Sequence, residues 1–325
     1  MIARRTLLAA PALLAAPVPF AGSWAQEWPS GPVRIISPFA PGGASDTLGR
    51  FAAQALGAAT GGSFVVENRT GAGGNIGMEA GARAAPDGLT FVVTAAAAAI
   101  NQSLYRNLAF DVRRDLAPVV VIALVPNVLS VHPSTPVRTA AEFLDWARRK
   151  PGGVTYASAG VGTHPHLSME SLLRRAGIQG THVPFRGSVP AVTELIAGRV
   201  DAVLENLPPQ GAFIRDGRLR ALGISSREAH PDFPTIPPLG RELGWPDFEP
   251  TAWQALMAPA ATPPAILQRA AGIVQAALRD EANAARIRGL GAVPSGLALQ
   301  EFGAFLREEV DRWAELVRAT GATPE

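Results

Sequence analysis

The stretch Pro38-Phe39-Ala40-Pro41-Gly42-Gly43-Ala44-Ser45-Asp46-Thr47 decides how this chain is read. It follows an apolar run, Val33-Arg34-Ile35-Ile36, and precedes a helical pattern with Leu48, Phe51, Ala52, Ala55 and Leu56 on one face. The implied order is a strand, a tight loop of small residues, then a capped helix. Glycines leave backbone N–H groups open to a visitor, and a helix N-terminus carries about half a positive charge. Such a loop suits an anion. Ser45 or Asp46 is equally a helix N-cap, and an aspartate beside a bound carboxylate must meet water, a hydroxyl or an ammonium to be tolerated. A second loop of the same kind, Ser158-Ala159-Gly160-Val161-Gly162-Thr163, follows a strand pattern at Val154–Tyr156. There Thr163 is the cap and Pro165 fits the first helical turn. Two such loops facing each other suit a ligand with at least one carboxylate, held by N–H groups, hydroxyls and water.

Outward from these loops, strand-like and helix-like runs alternate, which predicts an α/β fold with a largely parallel sheet. One series has strands at Val33–Ile36, Phe64–Glu67, Phe91–Thr94 and Val119–Leu124. A second has them at Val128–Val131, Val154–Tyr156, Thr181–Val183, Val200–Leu204 and Leu219–Ile224. Residues 231–250 are proline-rich and read as an irregular surface path. A strand at Trp253–Met257 and two long amphipathic helices then finish the chain. The expected division is lobe 1 from 26–125 plus 224–325 and lobe 2 from 126–223. The chain would cross between them near 124–128 and 220–226.

Met1-Ile2-Ala3-Arg4-Arg5-Thr6-Leu7-Leu8 opens an alanine-rich apolar run that ends at Ser23-Trp24-Ala25. A basic start, a short apolar core and a small-residue site make a secretory signal, here residues 1–25, and the run is too short to span a bilayer. The arginine pair permits the twin-arginine route, and a simple basic n-region explains it equally well. No cysteine occurs, which excludes disulfides, thiolate metal sites and a lipidated cysteine. Of 29 basic and 27 acidic residues, Arg4 and Arg5 leave with the signal, so the mature chain is near neutral and nothing points to nucleic acid.

Other candidate chemistry is thin. Asn68–Gly77 looks like a dinucleotide fingerprint, but Ile76 stands where the spacing after Gly71 and Gly73 requires glycine. The run Ala95–Ala99 is either a buried helix start or a wall made small beside a ligand. His164 and His166, two apart, diverge on a helix and do not suit a shared metal; His166 reads as packing or capping locally. A Gly-x-Ser-x-Gly elbow is absent, since Tyr156 occupies the first glycine place before Ser158. Arg186 is either an anion partner or a solvated helix start. Glu205-Asn206 ends a strand whose C-terminal edge would face the cleft, and it leans towards ligand contact.

The motifs taken together are specific. Pro38 to Asp46, Glu67-Asn68-Arg69-Thr70-Gly71-Ala72-Gly73-Gly74-Asn75-Ile76-Gly77, Pro86-Asp87-Gly88, Ser158 to Thr163, His182-Val183-Pro184-Phe185-Arg186-Gly187 and Pro234-Thr235-Ile236-Pro237 span the mature chain. On them the chain resembles the extracytoplasmic solute receptors of tripartite tricarboxylate transporters, the Bug receptors. The resemblance implies a type II-like, two-lobed periplasmic binding protein that closes on its ligand as a hinged clamp. Phe39, Ala40, Gly42, Gly43 and Asp46 would form one jaw, and Ser158, Ala159, Gly160, Gly162 and Thr163 the other. Ala95, Phe185 and Glu205 complete the candidate ligand-binding set. The resemblance further implies a small carboxylate ligand, membrane transporter subunits as partners, a periplasmic monomer without lipid anchor, and no catalytic group, metal or cofactor. Relatives commonly carry tyrosine and lysine at Phe185 and Arg186, and a more polar stretch at Ala95–Ala99, which hints at a less polar ligand end. Two other classes stay open: a receptor that signals to a sensor kinase, and a secreted hydrolase using Ser158 and His166.

Overall fold

The computed structural model describes residues 28–185 and 187–323; the expected export signal and Arg186 lie outside them. Among the described residues eleven strands form: β1 (Val33–Ser37), β2 (Phe64–Asn68), β3 (Thr90–Ala95), β4 (Leu116–Val125), β5 (Asn127–Val131), β6 (Val154–Ser158), β7 (Gly180–Pro184), β8 (Ala202–Asn206), β9 (Arg220–Ile224), β10 (Ala252–Pro259) and β11 (Val293–Pro294). They make two sheets, ordered β11-β4-β10-β3-β1-β2 and β7-β6-β8-β5-β9.

Both sheets are mixed, where a largely parallel arrangement was expected. β1 pairs in parallel with β2 and β3, but β10 enters antiparallel between β3 and β4. In the other sheet β6 is parallel to β7 and β8, while β5 runs against β8 and β9. The cause is the crossing of the chain between lobes. A strand that has just crossed begins at the edge where its neighbours end, so it runs away from that edge: Asn127 starts β5 opposite Asn206 at the end of β8, and Gln254 near the start of β10 faces Ala95 at the end of β3.

Helices cover the first sheet on both faces. Successive residues of a strand point to opposite sides, and β3 shows it. A Cβ on Gly49 of helix Ala44–Thr60 would lie 2.9 Å from Val93, and one on Gly81 of helix Asn75–Ala82 would lie 2.8 Å from Val92. All six residues of β3 are therefore buried, as a continuous apolar run requires. The second sheet is packed likewise, with Leu129, Phe143, Tyr156, Met169 and Leu204 on one side, and Ala157, Val203, Val192 and Leu195 on the other. Leu239 and Phe248, from the proline-rich stretch, join the first of these clusters.

The C-terminal helix Leu299–Thr320 lies against β4 and helix Ala97–Leu104 and also reaches helix His164–Arg175 of the second lobe. Its buried Glu309 is held by three donors. The indole N–H groups of Trp253 and Trp313 both donate to Oε2, at 2.9 and 3.0 Å, and Arg312 meets Oε1 at 2.5 Å. Trp313 in turn meets the His164 ring edge-on at 4.9 Å. Where the chain crosses, Asn127 donates its N–H to Ser225 Oγ (2.9 Å) and accepts the Ser225 N–H (2.8 Å), and Ser225 Oγ bonds Thr251 Oγ1 at 3.0 Å.

Replacing Glu309→Leu removes the acceptor from two buried indoles. At about 1–3 kcal/mol for each of the two stranded donors, the loss of stability should be about 2–6 kcal/mol. Urea unfolding followed by tryptophan fluorescence checks this; a change below about 0.5 kcal/mol would contradict the assignment.

Candidate functional site

A cavity of about 460 Å³ opens between the two sheets. Four helices begin at its wall, at Ala44, Ala97, His164 and Ser188. Their N-cap residues, Gly43, Ala96, Thr163 and Gly187, make no side-chain capping bond. The first-turn N–H groups of a helix have no partner within the helix. Four positive helix ends thus point at one space, while no Lys, Arg, Asp or Glu is among the described residues that line it. His164 does line it, but burial, aided by the Arg312 charge, pushes its pKa down to about 3, so the ring is neutral. Its Nδ1 stands 3.2 Å from Asn127 Nδ2, so Nδ1 is the acceptor and the proton sits on Nε2.

The first loop is braced from behind by Asp46. Its carboxylate accepts the Gly42 N–H (3.0 Å), two bonds from Arg50 (both 3.0 Å) and one from Asn68 (3.0 Å). These bonds, the Arg50 pair foremost, hold its pKa at about 2. Asn68 also donates to Phe39 O, so β2 and the loop are tied together. Gly42 takes φ +80°, a conformation that a side chain would strain. Ser45 Oγ donates to Gln254 Oε1 at 2.6 Å, which joins the helix start to β10.

The second loop is braced by stacked rings. Ser158 Oγ lies 2.6 Å from His182 Nε2 and accepts the Gly160 N–H at 3.2 Å. His166 Nδ1 accepts the Gly162 N–H at 3.1 Å, and Thr163 Oγ1 donates to Gly160 O at 2.7 Å. The His166 and His182 rings stack at 3.9 Å, with Tyr156 stacked on His182 at 5.1 Å and donating to Glu170. Burial lowers the pKa of both histidines, that of His182 to about 4. The Ser158–His182 contact has the reach of a nucleophile and its base. Ser158, however, is fully buried and does not line the cavity, so the pair supports the loop.

Of the residues singled out in the sequence, Phe39, Ala95, Ala159, Gly162 and Thr163 line the cavity. Ala40, Gly42, Gly43, Asp46, Ser158, Gly160, Phe185 and Glu205 do not. Asn101, Tyr105, Trp253, Gln254, Asn206, Ser188 and His164 line it too; of these the sequence points to cleft contact only for Asn206, as one of the Glu205-Asn206 pair. For Asn206 a signal existed: side chains alternate along a strand, so Glu205 and Asn206 could not both face the cleft. For Trp253 and Gln254 there was none, because only the pairing of β10 with β3 brings them to the cavity.

Glu205 is fully buried, on the β8 face that carries Val203. Its Oε1 accepts the Asn206 N–H at 2.9 Å, and its Oε2 has no hydrogen-bond partner. Burial outweighs the bonds from the Asn206 N–H and the Ser188 side chain and pushes the carboxyl pKa up to about 7. An acid raised on folding is most favourable below its unfolded pKa, and its contribution is lost as pH rises through the folded value. Glu205→Gln should therefore match the wild type near pH 4.5 and exceed its stability by about 2–3 kcal/mol at pH 8. Chemical denaturation of both proteins across that range measures the difference, and parallel profiles would refute it.

Residues 48–322 match the family model for the tripartite tricarboxylate transporter family receptor. BugT of Bordetella pertussis is 36% identical over 300 residues, covering 92% of each chain. A UPF0065 protein from the tcbD-tcbE intergenic region of a Pseudomonas strain is 34% identical over 316 residues, 97% of this chain and 94% of its own. Among solved structures, an R. palustris protein with adipate is 33% identical with a TM-score of 0.79, covering 92% of this chain and all of that one. MatC from Rhodopseudomonas palustris with bound malate is 29% identical with a TM-score of 0.73, over 89% of this chain and all of its own. The chain belongs to the tripartite tricarboxylate transporter receptor family, a family of substrate-binding receptors and not of enzymes.

Proposed function

We propose that this protein binds a small carboxylate between its lobes and delivers it to the membrane subunits of a tripartite tricarboxylate-type transporter. It would do so as a periplasmic monomer, released from its export signal. One observation carries the reading: four uncapped helix N-termini converge on a cavity that has no charged side chain among its described lining residues. That is a site for an anion held by backbone N–H groups and water. The anion is a carboxylate because relatives with the same fold hold adipate and malate.

On this reading the jaws are Phe39–Ser45 and Ala159–His164, with Asp46 and Ser158 as struts. Lobe 1 (26–125 plus 224–325) and lobe 2 (126–223) turn about Pro126 and Ser225, and Leu239 and Phe248 ride with lobe 2. The jaws meet where Leu104 of lobe 1 packs on Gly162 of lobe 2. A Cβ on Gly162 would stand 2.5 Å from Leu104 Cδ2, and the residue sits at φ +72°.

A thermal-shift panel of citrate, malate, adipate, glutamate, hexanoate and benzoate tests the reading on protein stripped of carried-over ligand. A ligand at about 100 times its Kd adds about 2.7 kcal/mol, a rise of several degrees in Tm. At least one acid should give it, and a flat panel overturns the proposal. Gly162→Ala should weaken the same acid at least tenfold by holding the jaws apart, read by calorimetric titration; unchanged affinity would place the closing contact elsewhere.

A further inference from the structure

Several polar side chains on the cavity wall have already spent their hydrogen atoms inside the protein. Thr163 Oγ1 donates to Gly160 O, and the amide nitrogen of Asn101 donates to Gly73 O at 3.1 Å and Asn75 Oδ1 at 2.8 Å. The Trp253 indole donates to Glu309, and the Ser188 side chain is bonded to the Glu205 carboxyl. Ser45 Oγ gives its hydrogen to Gln254 Oε1. Gln254 differs from these, because only the oxygen of its amide is engaged.

Gln254 lies on β10, between β3 and β4, and is 8% exposed. Its 2.6 Å contact with Ser45 is an O–H···O distance, shorter than the usual N–H···O range, so the amide oxygen faces Ser45. The nitrogen, Nε2, therefore points the other way. It makes no hydrogen bond with a described residue and yet is not sealed from solvent, and the space that Gln254 lines is the cavity. Two free N–H groups are thus presented there by a side chain held at both ends, in the sheet by its backbone and at Ser45 by its oxygen. Ser45 is the second residue of helix Ala44–Thr60, so this amide stands beside one of the four positive helix ends.

We infer that Gln254 is a specificity-determining residue of the cleft, its Nε2 donating to the ligand carboxylate drawn by the helix start at Ala44. The inference rests on the carboxylate-receptor reading above and names a side chain that the ligand must satisfy. A carboxylate is purely an acceptor, and a fixed neutral donor adds to the helix N–H groups without adding charge. A ligand ammonium offers only donors and is turned away from the same place. An acid whose carboxylate does not reach Nε2 strands a donor taken out of water.

Two variants separate contact with the ligand from support of the loop. Gln254→Met removes both the donor and the tie to Ser45, whereas Ser45→Ala removes the tie alone. Calorimetric titration of citrate, malate, adipate, glutamate, hexanoate and benzoate into the wild type first finds the acid that binds tightest. That acid should bind Gln254→Met at least tenfold more weakly, and Ser45→Ala less than threefold more weakly. Equal losses in the two variants make Gln254 a strut only and overturn the inference, as does unchanged affinity in Gln254→Met; both results leave the receptor reading intact. If none of these acids binds the wild type, inference and reading fall together. Gln254→Glu covers the case in which the methionine variant does not fold. It keeps the shape and an oxygen for the Ser45 hydroxyl but turns an oxygen, in place of Nε2, to the cavity. At pH 8 it should bind the same acid at least a hundredfold more weakly, and wild-type affinity there overturns the inference. Thermal unfolding of each variant, compared with wild type, shows whether it is folded.

Discussion

One buried carboxylate ties the last helix to the central strand of the first sheet and fixes the tryptophan that meets the second lobe. Glu309 gathers the indoles of Trp253, in the central strand of the first sheet, and Trp313, on the last helix. From Trp313 the contact passes to His164 at the start of a second-lobe helix, then to Asn127, Ser225 and Thr251, where the chain crosses between sheets. Every residue in this run is buried. A buried ion is tolerated only when paired and hydrogen-bonded, and Glu309 is both. One end of the run meets the cavity at Trp253 and the other the crossing at Ser225, so both are tied into one set of buried contacts.

The site gathers positive potential without placing a charged side chain among its described lining residues. The Asp46–Arg50 pair, the strongest nearby charges, is turned behind the first loop and used to hold Gly42 and β2. The histidines of the second loop are kept neutral by burial. What remains at the surface of the cavity is backbone dipole, hydroxyl, amide and methyl. Dipoles fixed by a helix need no reorganisation when an anion arrives, and they set no fixed number of charges on the ligand.

Much of this was legible beforehand. Apolar runs placed ten strands, and two small-residue loops marked the helix starts from which the cleft is built. The Asp46–Arg50 pair follows from i,i+4 spacing on a helix, although its link to Asn68 does not. The direction of β5 and β10 was not legible, because strand direction follows from which lobe the chain has just left. The Glu205–Asn206 pair shows the finer limit. Both stand at the cleft end of β8, and the pleat sends one to the cavity and the other into the interior.

By itself the sequence determined the elements, the two glycine-rich loops and the family whose motifs they carry, because each of these depends on residues near one another along the chain. Only the tertiary structure decided which groups meet the ligand space. Ser45 and Gln254 are 209 positions apart, and Asn101 reaches Asn75 across another loop. Their donors and acceptors are spent or free according to partners that folding alone supplies, and that accounting decides which groups are left to face the cleft.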